Sequence, residues 1–118
     1  MLKIQNYING SLQAPASGTY FDNYNPSIGE VYSQIPDSNK QDVEQAYQAA
    51  KKAFPAWSNT PKEERSKIIL KLASLIEDNL DRFAKAESID NGKPLWLAKK
   101  VDIPRAVANF HFFGTAIL

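Results

Sequence analysis

Apolar and polar residues alternate along the first part of the chain. Two short runs, Ile4–Ile8 and Ser11–Gln13, flank Asn9-Gly10, the dipeptide that most readily adopts the positive φ angles of a type I′ turn. Two longer runs rich in aromatic and β-branched residues follow, and Asn25–Gly29 between them has the composition of a turn. These longer runs are Thr19–Tyr24 and Glu30–Ile35. The pattern predicts two β-hairpins, which need further packing because isolated hairpins are only marginally stable.

After Pro36 the apolar spacing changes from two to about 3.6 residues, which is typical of amphipathic helices. A first helix is predicted over residues 39–57, with Ser38 or Asn39 as its N-cap and Pro55 near its end. Its apolar positions are Val43, Ala46, Tyr47, Ala50, Phe54 and Trp57.

The strongest helix start signal is Thr60-Pro61-Lys62-Glu63. It combines a threonine N-cap, a proline at the first helical position and a glutamate three residues after the cap. The apolar stripe that follows consists of Ile69, Leu72, Ala73, Ile76, Leu80, Phe83 and Ala84. A break is predicted near Asn79, because asparagine favours helix caps, and Asn91-Gly92 is predicted to end the helix.

Beyond Gly92-Lys93-Pro94 we predict a short helical stretch and then a last helix, with Asp102 as its cap and Pro104 in its first turn. Apolar residues cover most of the circumference of this last helix, so we expect it to be buried in a larger body. They are Ala106, Val107, Ala108, Phe110, Phe112, Phe113, Ala116 and Ile117. Four short strands cannot cover so many apolar helices, so we expect the natural protein to continue and to supply a further sheet.

The composition is that of a folded protein, with 43% hydrophobic and 23% charged residues. The net charge of +1 disfavours binding to nucleic acid or to an anionic membrane. Neither an apolar window of about 20 residues nor an apolar signal-peptide core occurs, so we expect a cytoplasmic location. The absence of cysteine excludes disulfides, thiolate metal sites and cysteine nucleophiles from this chain.

The chain offers little catalytic chemistry of its own. Its five glycines form neither a dinucleotide-binding fingerprint nor a phosphate-binding loop, so a cofactor would have to be held mainly by groups elsewhere. His111 is the only histidine, which excludes a multi-histidine metal site and favours a structural or rim position. The acidic residues stand where helix caps and exposed helix faces need them, which disfavours catalysis by paired carboxylates.

Two features point beyond packing. Ser88–Pro94 places oxygen atoms at the negative end of a helix dipole, where a cation could bind or where Asp90 and Asn91 could simply end the helix. Arg105 lies in the first turn of an apolar helix, where the dipole disfavours a cation, so a buried guanidinium there needs a carboxylate partner. The residues alone leave the cation question open, and they favour a structural salt bridge for Arg105 over a ligand.

The order of these motifs resembles the beginning of the aldehyde dehydrogenase superfamily over all 118 residues. In chain order the matching features are the Asn-Gly hairpin, Tyr24–Val31, Val43–Phe54 with Trp57, Arg65 and Asp90–Pro94. The pairing of an Asn-Pro-Ser-x-Gly-Glu turn with a downstream Asp-Asn-Gly-Lys-Pro is much more specific than either motif alone.

The resemblance implies an α/β fold in which residues 1–118 form the amino-terminal segment of an NAD(P)-binding domain, incomplete without the rest of its parallel sheet. Residues 1–36 would form the β-hairpins, and residues 37–118 would be helical. NAD or NADP would serve the complete enzyme, with none bound by this chain alone and with the catalytic cysteine and glutamate outside it. The implied partners are the remainder of the subunit, further subunits in a homo-oligomer, and a small-molecule aldehyde.

Four residues acquire roles only through the resemblance. Asp90 matches a family position that helps to coordinate a structural monovalent cation, together with the backbone near Asn23 and Tyr24. The stretch Val101–Phe113 looks like the branch that acts on 2-aminomuconic or 2-hydroxymuconic semialdehyde. In that branch an arginine at the position of Arg105 binds the substrate carboxylate, for which a guanidinium has the matching two-donor geometry.

A different class of protein also fits the pattern. A helical interaction module with a β-hairpin arm, which binds full-length subunits without catalysing a reaction, would stay monomeric or form a defined complex, whereas a bare enzyme fragment should aggregate. A helix-turn-helix protein that binds nucleic acid is disfavoured by the near-zero net charge and by the scatter of the basic residues.

Overall fold

The structure, a computed structural model, describes residues 1–118. It has two compact units, Met1–Asn59 and Thr60–Leu118. The strands are β1 (Leu2–Lys3), β2 (Asn6–Ile8), β3 (Ser11–Gln13), β4 (Tyr20–Asn25) and β5 (Glu30–Pro36). The helices are α1 (Lys40–Asn59), α2 (Lys62–Asp78), α3 (Leu80–Asn91), α4 (Leu95–Leu97) and α5 (Ile103–Ala116), with a π-helical turn at Ala98–Asp102. The first helix therefore groups with the strands, and the later helices form the second unit.

The predicted first hairpin is confirmed as the antiparallel pair β2–β3. Asn9 and Gly10 have φ angles of 52° and 80°, as a type I′ turn requires. Its first strand is shorter than predicted, because Ile4 lies outside it and next to β1. The amide of Ile4 donates a hydrogen bond to the Gln34 carbonyl at 2.8 Å.

The predicted second hairpin is confirmed as β4–β5, which has an irregularity between Asn23 and Tyr24. The turn is closed by the Gly29 amide, which donates to the Asn25 carbonyl at 2.8 Å, with Gly29 at a φ of 71°. The count of four strands was wrong, because β1 adds a fifth that pairs in parallel with β5. A strand of two residues carries no periodic signal, so its pairing depends on a partner far along the chain.

The N-cap of α1 is Asn39, one of the two residues predicted for it. The Asn39 side chain accepts a hydrogen bond from the Gln41 amide at 2.8 Å, and the Asp42 carboxylate accepts one from the Asn39 amide at 2.8 Å. This reciprocal arrangement is a capping box. Asp42 also accepts the Ala16 amide at 2.8 Å, and it is only 5% exposed. One carboxylate thus joins the helix start to a distant loop.

The hydrogen bonds from the Asn39 and Ala16 amides hold the pKa of Asp42 below its ordinary value. The native state therefore takes up this proton at lower pH than the unfolded state does, and the stabilisation is complete above about pH 4 and lost as the pH falls through the lowered pKa. We expect Asp42→Asn to lower the melting temperature of the complete subunit at pH 7, with a smaller difference at pH 3. Thermal denaturation at both pH values tests this, and an equal difference at both would contradict it.

In the second unit α2 begins at Lys62 with Pro61 at the N-cap position, so the assignment of Thr60 as N-cap was wrong by one residue. Pro61 has a ψ of 141°, which is extended and cannot belong to the first helical turn. The predicted break at Asn79 is confirmed, and the Asn79 amide side chain donates to the Leu75 carbonyl at 2.9 Å. Gly92 ends α3 with a left-handed φ of 76°, as predicted.

The short helical stretch after Pro94 is confirmed, but Asp102 does not cap the last helix. The π-helical turn runs directly into α5, so the first amides of α5 already follow helical backbone. Asp102 is itself helical, with φ −70° and ψ −51°. The carboxylate of Asp102 instead accepts a hydrogen bond from the Lys93 ammonium at 2.6 Å.

The core of the second unit is small. Ala84, Ala98 and Ile103 are buried, and Ile76 and Leu80 pack against them. The helices α2 and α5 approach closely at Gly114, where a Cβ atom would lie 3.1 Å from Leu70 Cδ2 and 3.2 Å from Ile69 Cγ2. No helix is both long enough and apolar enough to cross a membrane.

Much apolar surface remains uncovered. The chain exposes 8404 Å², whereas a folded protein of its mass exposes about 6,400 Å², and two separate folded units of half that mass together expose about 7,700 Å². Phe112 and Phe113 of α5 are 62% and 64% exposed. The expected burial of α5 is therefore not achieved within these 118 residues, because nothing in the chain covers this face.

Candidate functional site

Arg105 lies in the first turn of α5, with its side chain exposed to solvent. It forms no ion pair and no hydrogen bond within the chain. The expectation of a buried guanidinium in a structural salt bridge was therefore wrong. An exposed arginine keeps its hydration and needs no protein carboxylate, so its five N–H donors are available to a ligand.

Lys93 and Asp102 form the ion pair nearest to Arg105 in the sequence. The Lys93 ammonium lies 2.6 Å from Asp102 Oδ2, and the two side chains are 31% and 21% exposed. The loop that carries Lys93 is fixed at two further points. The Ser88 hydroxyl donates to the Lys93 carbonyl at 2.7 Å, and the Lys93 amide donates to Asn91 Oδ1 at 2.9 Å.

A groove with a volume of about 500 Å³ lies along α5. Its lining residues are Glu77, Leu80, Pro104, Val107, Ala108, His111, Phe112 and Thr115. His111 is exposed at this groove, in agreement with the expected rim position. The Thr115 hydroxyl donates to the backbone carbonyls of His111 and Phe112 at 3.0 Å. The groove is therefore lined mainly by apolar side chains, with Glu77 and His111 as its ionisable residues, and its one hydroxyl is already engaged with the backbone.

The residues assigned to a cation by resemblance lie in different units. Asn23 and Tyr24 flank the irregularity in β4, and the Asn23 side-chain amide donates to the Tyr32 hydroxyl at 2.9 Å. Asp90 lies in the last turn of α3 and is exposed. No group of three or more histidine, cysteine, aspartate or glutamate side chains is placed to hold a metal ion. The assignment to a monovalent cation therefore still depends on the resemblance.

Sequence reasoning missed the Lys93–Asp102 ion pair and the capping box at Asp42. The capping box has a local signal, an asparagine followed three residues later by an aspartate, which resembles the known Ser/Thr-x-x-Glu pattern. The ion pair has no such signal, since its partners are nine residues apart and meet only because of the turn at Gly92 and the π-helical turn.

The sequence pattern of the aldehyde dehydrogenase family matches residues 13–118. The 2-aminomuconic semialdehyde dehydrogenase of Bos taurus is 48% identical over the whole chain, which covers 24% of that protein. The solved structure of PnpE from Pseudomonas sp. WBC-3 superimposes with a TM-score of 0.94 at 36% identity, over 98% of this chain and 24% of that one. An NAD⁺ complex of aldehyde dehydrogenase from Bacillus cereus superimposes with a TM-score of 0.92 at 33% identity, over 96% and 23%.

The chain thus spans about a quarter of the length of these relatives and forms a partial α/β domain. The family pattern covers residues 13–118, and the match to the bovine relative covers the whole chain. This chain belongs to the aldehyde dehydrogenase family.

Proposed function

We propose that this chain is the amino-terminal segment of an NAD(P)-dependent aldehyde dehydrogenase that oxidises a carboxylate-bearing aldehyde to an acid. The observation that carries the substrate class is Arg105, an exposed guanidinium without a partner in the first turn of α5. The name of the bovine relative, 2-aminomuconic semialdehyde dehydrogenase, supports the same class. In this proposal the catalytic cysteine and glutamate lie in the remainder of the subunit.

Arg105 would bind the carboxylate at the end of the substrate remote from the aldehyde. Two parallel N–H···O hydrogen bonds fix both the position and the plane of a carboxylate, which a single ammonium cannot do. Holding the remote end in this way orients the aldehyde carbon toward the catalytic groups, and a neutral aldehyde would lose that contact. The role of Arg105 is therefore binding and orientation, without proton transfer.

The remainder of the subunit would cover the apolar faces of the helices. Apolar surface buried in a partner contributes about 25 cal/mol per Å², so covering the exposed apolar side chains would favour docking. The exposed face of α5 and the apolar positions of α1, such as Tyr47 and Phe54, are the parts that we expect to be covered.

No residue of this chain forms a phosphate-binding loop or a dinucleotide fingerprint, so we assign the contacts with NAD or NADP to the remainder of the subunit. We also propose a homo-oligomer in the cytoplasm. A monovalent cation held by Asp90 and the backbone near Asn23 and Tyr24 is a further proposal, which anomalous scattering from rubidium-soaked crystals of the complete enzyme would test.

The protein encoded by the whole gene, from start codon to stop codon, provides the test. We expect a subunit several times longer than this chain that reduces NAD⁺ or NADP⁺ when 2-hydroxymuconic semialdehyde is added, measured by the absorbance of the reduced cofactor. A product of 118 residues that binds complete dehydrogenase subunits in a defined complex, without activity, would instead support the helical interaction module.

A further inference from the structure

Asp102 stands three residues before Arg105 in a continuous helical path. Side chains three residues apart are neighbours on a helix surface, and an aspartate and an arginine at this spacing attract each other. An ion pair between Asp102 and Arg105 is therefore the arrangement expected from local geometry. The structure does not contain it, and Arg105 has no partner of any kind.

The absence of an ion pair between Asp102 and Arg105 is explained by Lys93. Its ammonium lies 2.6 Å from Asp102 Oδ2, and both side chains are less exposed to water than those of a surface ion pair. The backbone of Lys93 is held on both sides, by the Ser88 hydroxyl and by Asn91 Oδ1. Because the loop is already fixed, no further backbone freedom of Lys93 is lost when its side chain binds Asp102. The lysine thus neutralises the one carboxylate that local spacing places beside Arg105.

We propose that Lys93 is a positioning residue that keeps Arg105 available for a substrate carboxylate by occupying Asp102. This inference depends on the proposed role of Arg105. Without Lys93, Asp102 competes with the substrate for the guanidinium and also repels the substrate carboxylate. With Lys93 in place, the charge of Asp102 is compensated at 2.6 Å, so the positive charge of Arg105 remains available to the anionic end of the substrate.

The test uses the complete enzyme and two six-carbon dienals, 2-hydroxymuconic semialdehyde with a terminal carboxylate and 2,4-hexadienal without one. The measured quantity is the ratio of kcat/KM for the first to kcat/KM for the second. We expect Lys93→Met to lower this ratio about 2- to 5-fold, the range of a partly exposed ion pair. The loss should appear as a higher KM for the carboxylate substrate.

Three further variants separate this role from a purely structural one. Lys93→Arg keeps the ion pair and should retain the ratio of the natural enzyme. The double variant Lys93→Met/Asp102→Asn removes the competitor together with its partner and should restore the ratio of the natural enzyme. Lys99→Met breaks the comparable ion pair between Lys99 and Asp81, which is 2.7 Å long, and should leave the ratio unchanged.

An unchanged ratio in Lys93→Met, or an equal loss in the single and double variants, would overturn the inference. Arg105→Ala belongs in the same set of measurements. If Arg105→Ala lowers the ratio while Lys93→Met does not, only the role of Lys93 fails. If Arg105→Ala leaves the ratio unchanged, the proposed carboxylate site fails and the role of Lys93 fails with it.

Discussion

Replacing Arg105 with alanine in the complete enzyme is expected to lower the preference for a carboxylate-bearing aldehyde about 10- to 100-fold. The preference is again the ratio of kcat/KM for 2-hydroxymuconic semialdehyde to that for 2,4-hexadienal. The magnitude follows from hydrogen bonds to charged groups, which contribute about 1.5–3 kcal/mol, with about 1.4 kcal/mol for each factor of ten. The guanidinium is exposed and unpaired, so its removal leaves no protein charge without a partner.

Two control variants test whether the effect depends on the geometry and the position of this arginine. Arg105→Lys keeps the positive charge but loses the two-donor geometry, so its ratio should fall between those of the natural enzyme and the alanine variant. Arg82→Ala removes an exposed arginine from α3 of the same unit and should not change the ratio. Equal losses on both aldehydes in Arg105→Ala would show that this arginine does not select for the carboxylate.

Replacing Gly114 with valine is expected to lower the free energy of unfolding by about 1–3 kcal/mol, the usual cost of inserting methyl groups into a tightly packed contact. Gly114 is buried where α5 meets α2, and even a Cβ atom would lie 3.1 Å from Leu70 Cδ2. The two further methyl groups of valine would force the helices apart. Urea denaturation of the complete subunit measures the change.

Gly114→Ala is the matched variant. Alanine adds only the Cβ atom, and its gain of about 0.5–1 kcal/mol in helix propensity offsets part of the crowding, so a smaller change is expected. A Gly114→Val subunit as stable as the natural one would contradict the close packing of α2 on α5.

The local turns and several of the helix ends could be predicted because each depends on a few adjacent residues. Asn9-Gly10 and Gly92 adopt positive φ angles that most residues avoid. Asn39 is an N-cap because its side chain reaches an amide two residues ahead. At these positions the conformation depends only on residues that are adjacent in the sequence.

Features that join distant parts of the chain could not be predicted. The parallel pairing of β1 with β5, the bond from the Ala16 amide to Asp42 and the Lys93–Asp102 ion pair all require the fold to exist first. Asp102 shows the difficulty most clearly. Its sequence context is that of a helix cap, but the π-helical turn supplies the backbone before α5 and leaves its carboxylate for Lys93.

The candidate site was predicted only in part. Arg105 was singled out from its position in an apolar helix, but the structural salt bridge that the residues alone favoured is absent from these 118 residues. The apolar circumference of α5 still predicts burial in a larger body. The exposed rings of Phe112 and Phe113 show that this burial is not achieved within the chain.

The central claim is that the remainder of a dehydrogenase subunit packs against the exposed apolar faces of this chain. Scanning calorimetry of the 118-residue chain purified alone tests it most directly. A closed domain of this length unfolds with an enthalpy of about 80 kcal/mol. We expect self-association and a broad transition far below that value, whereas a soluble monomer with one sharp transition near it would contradict the claim.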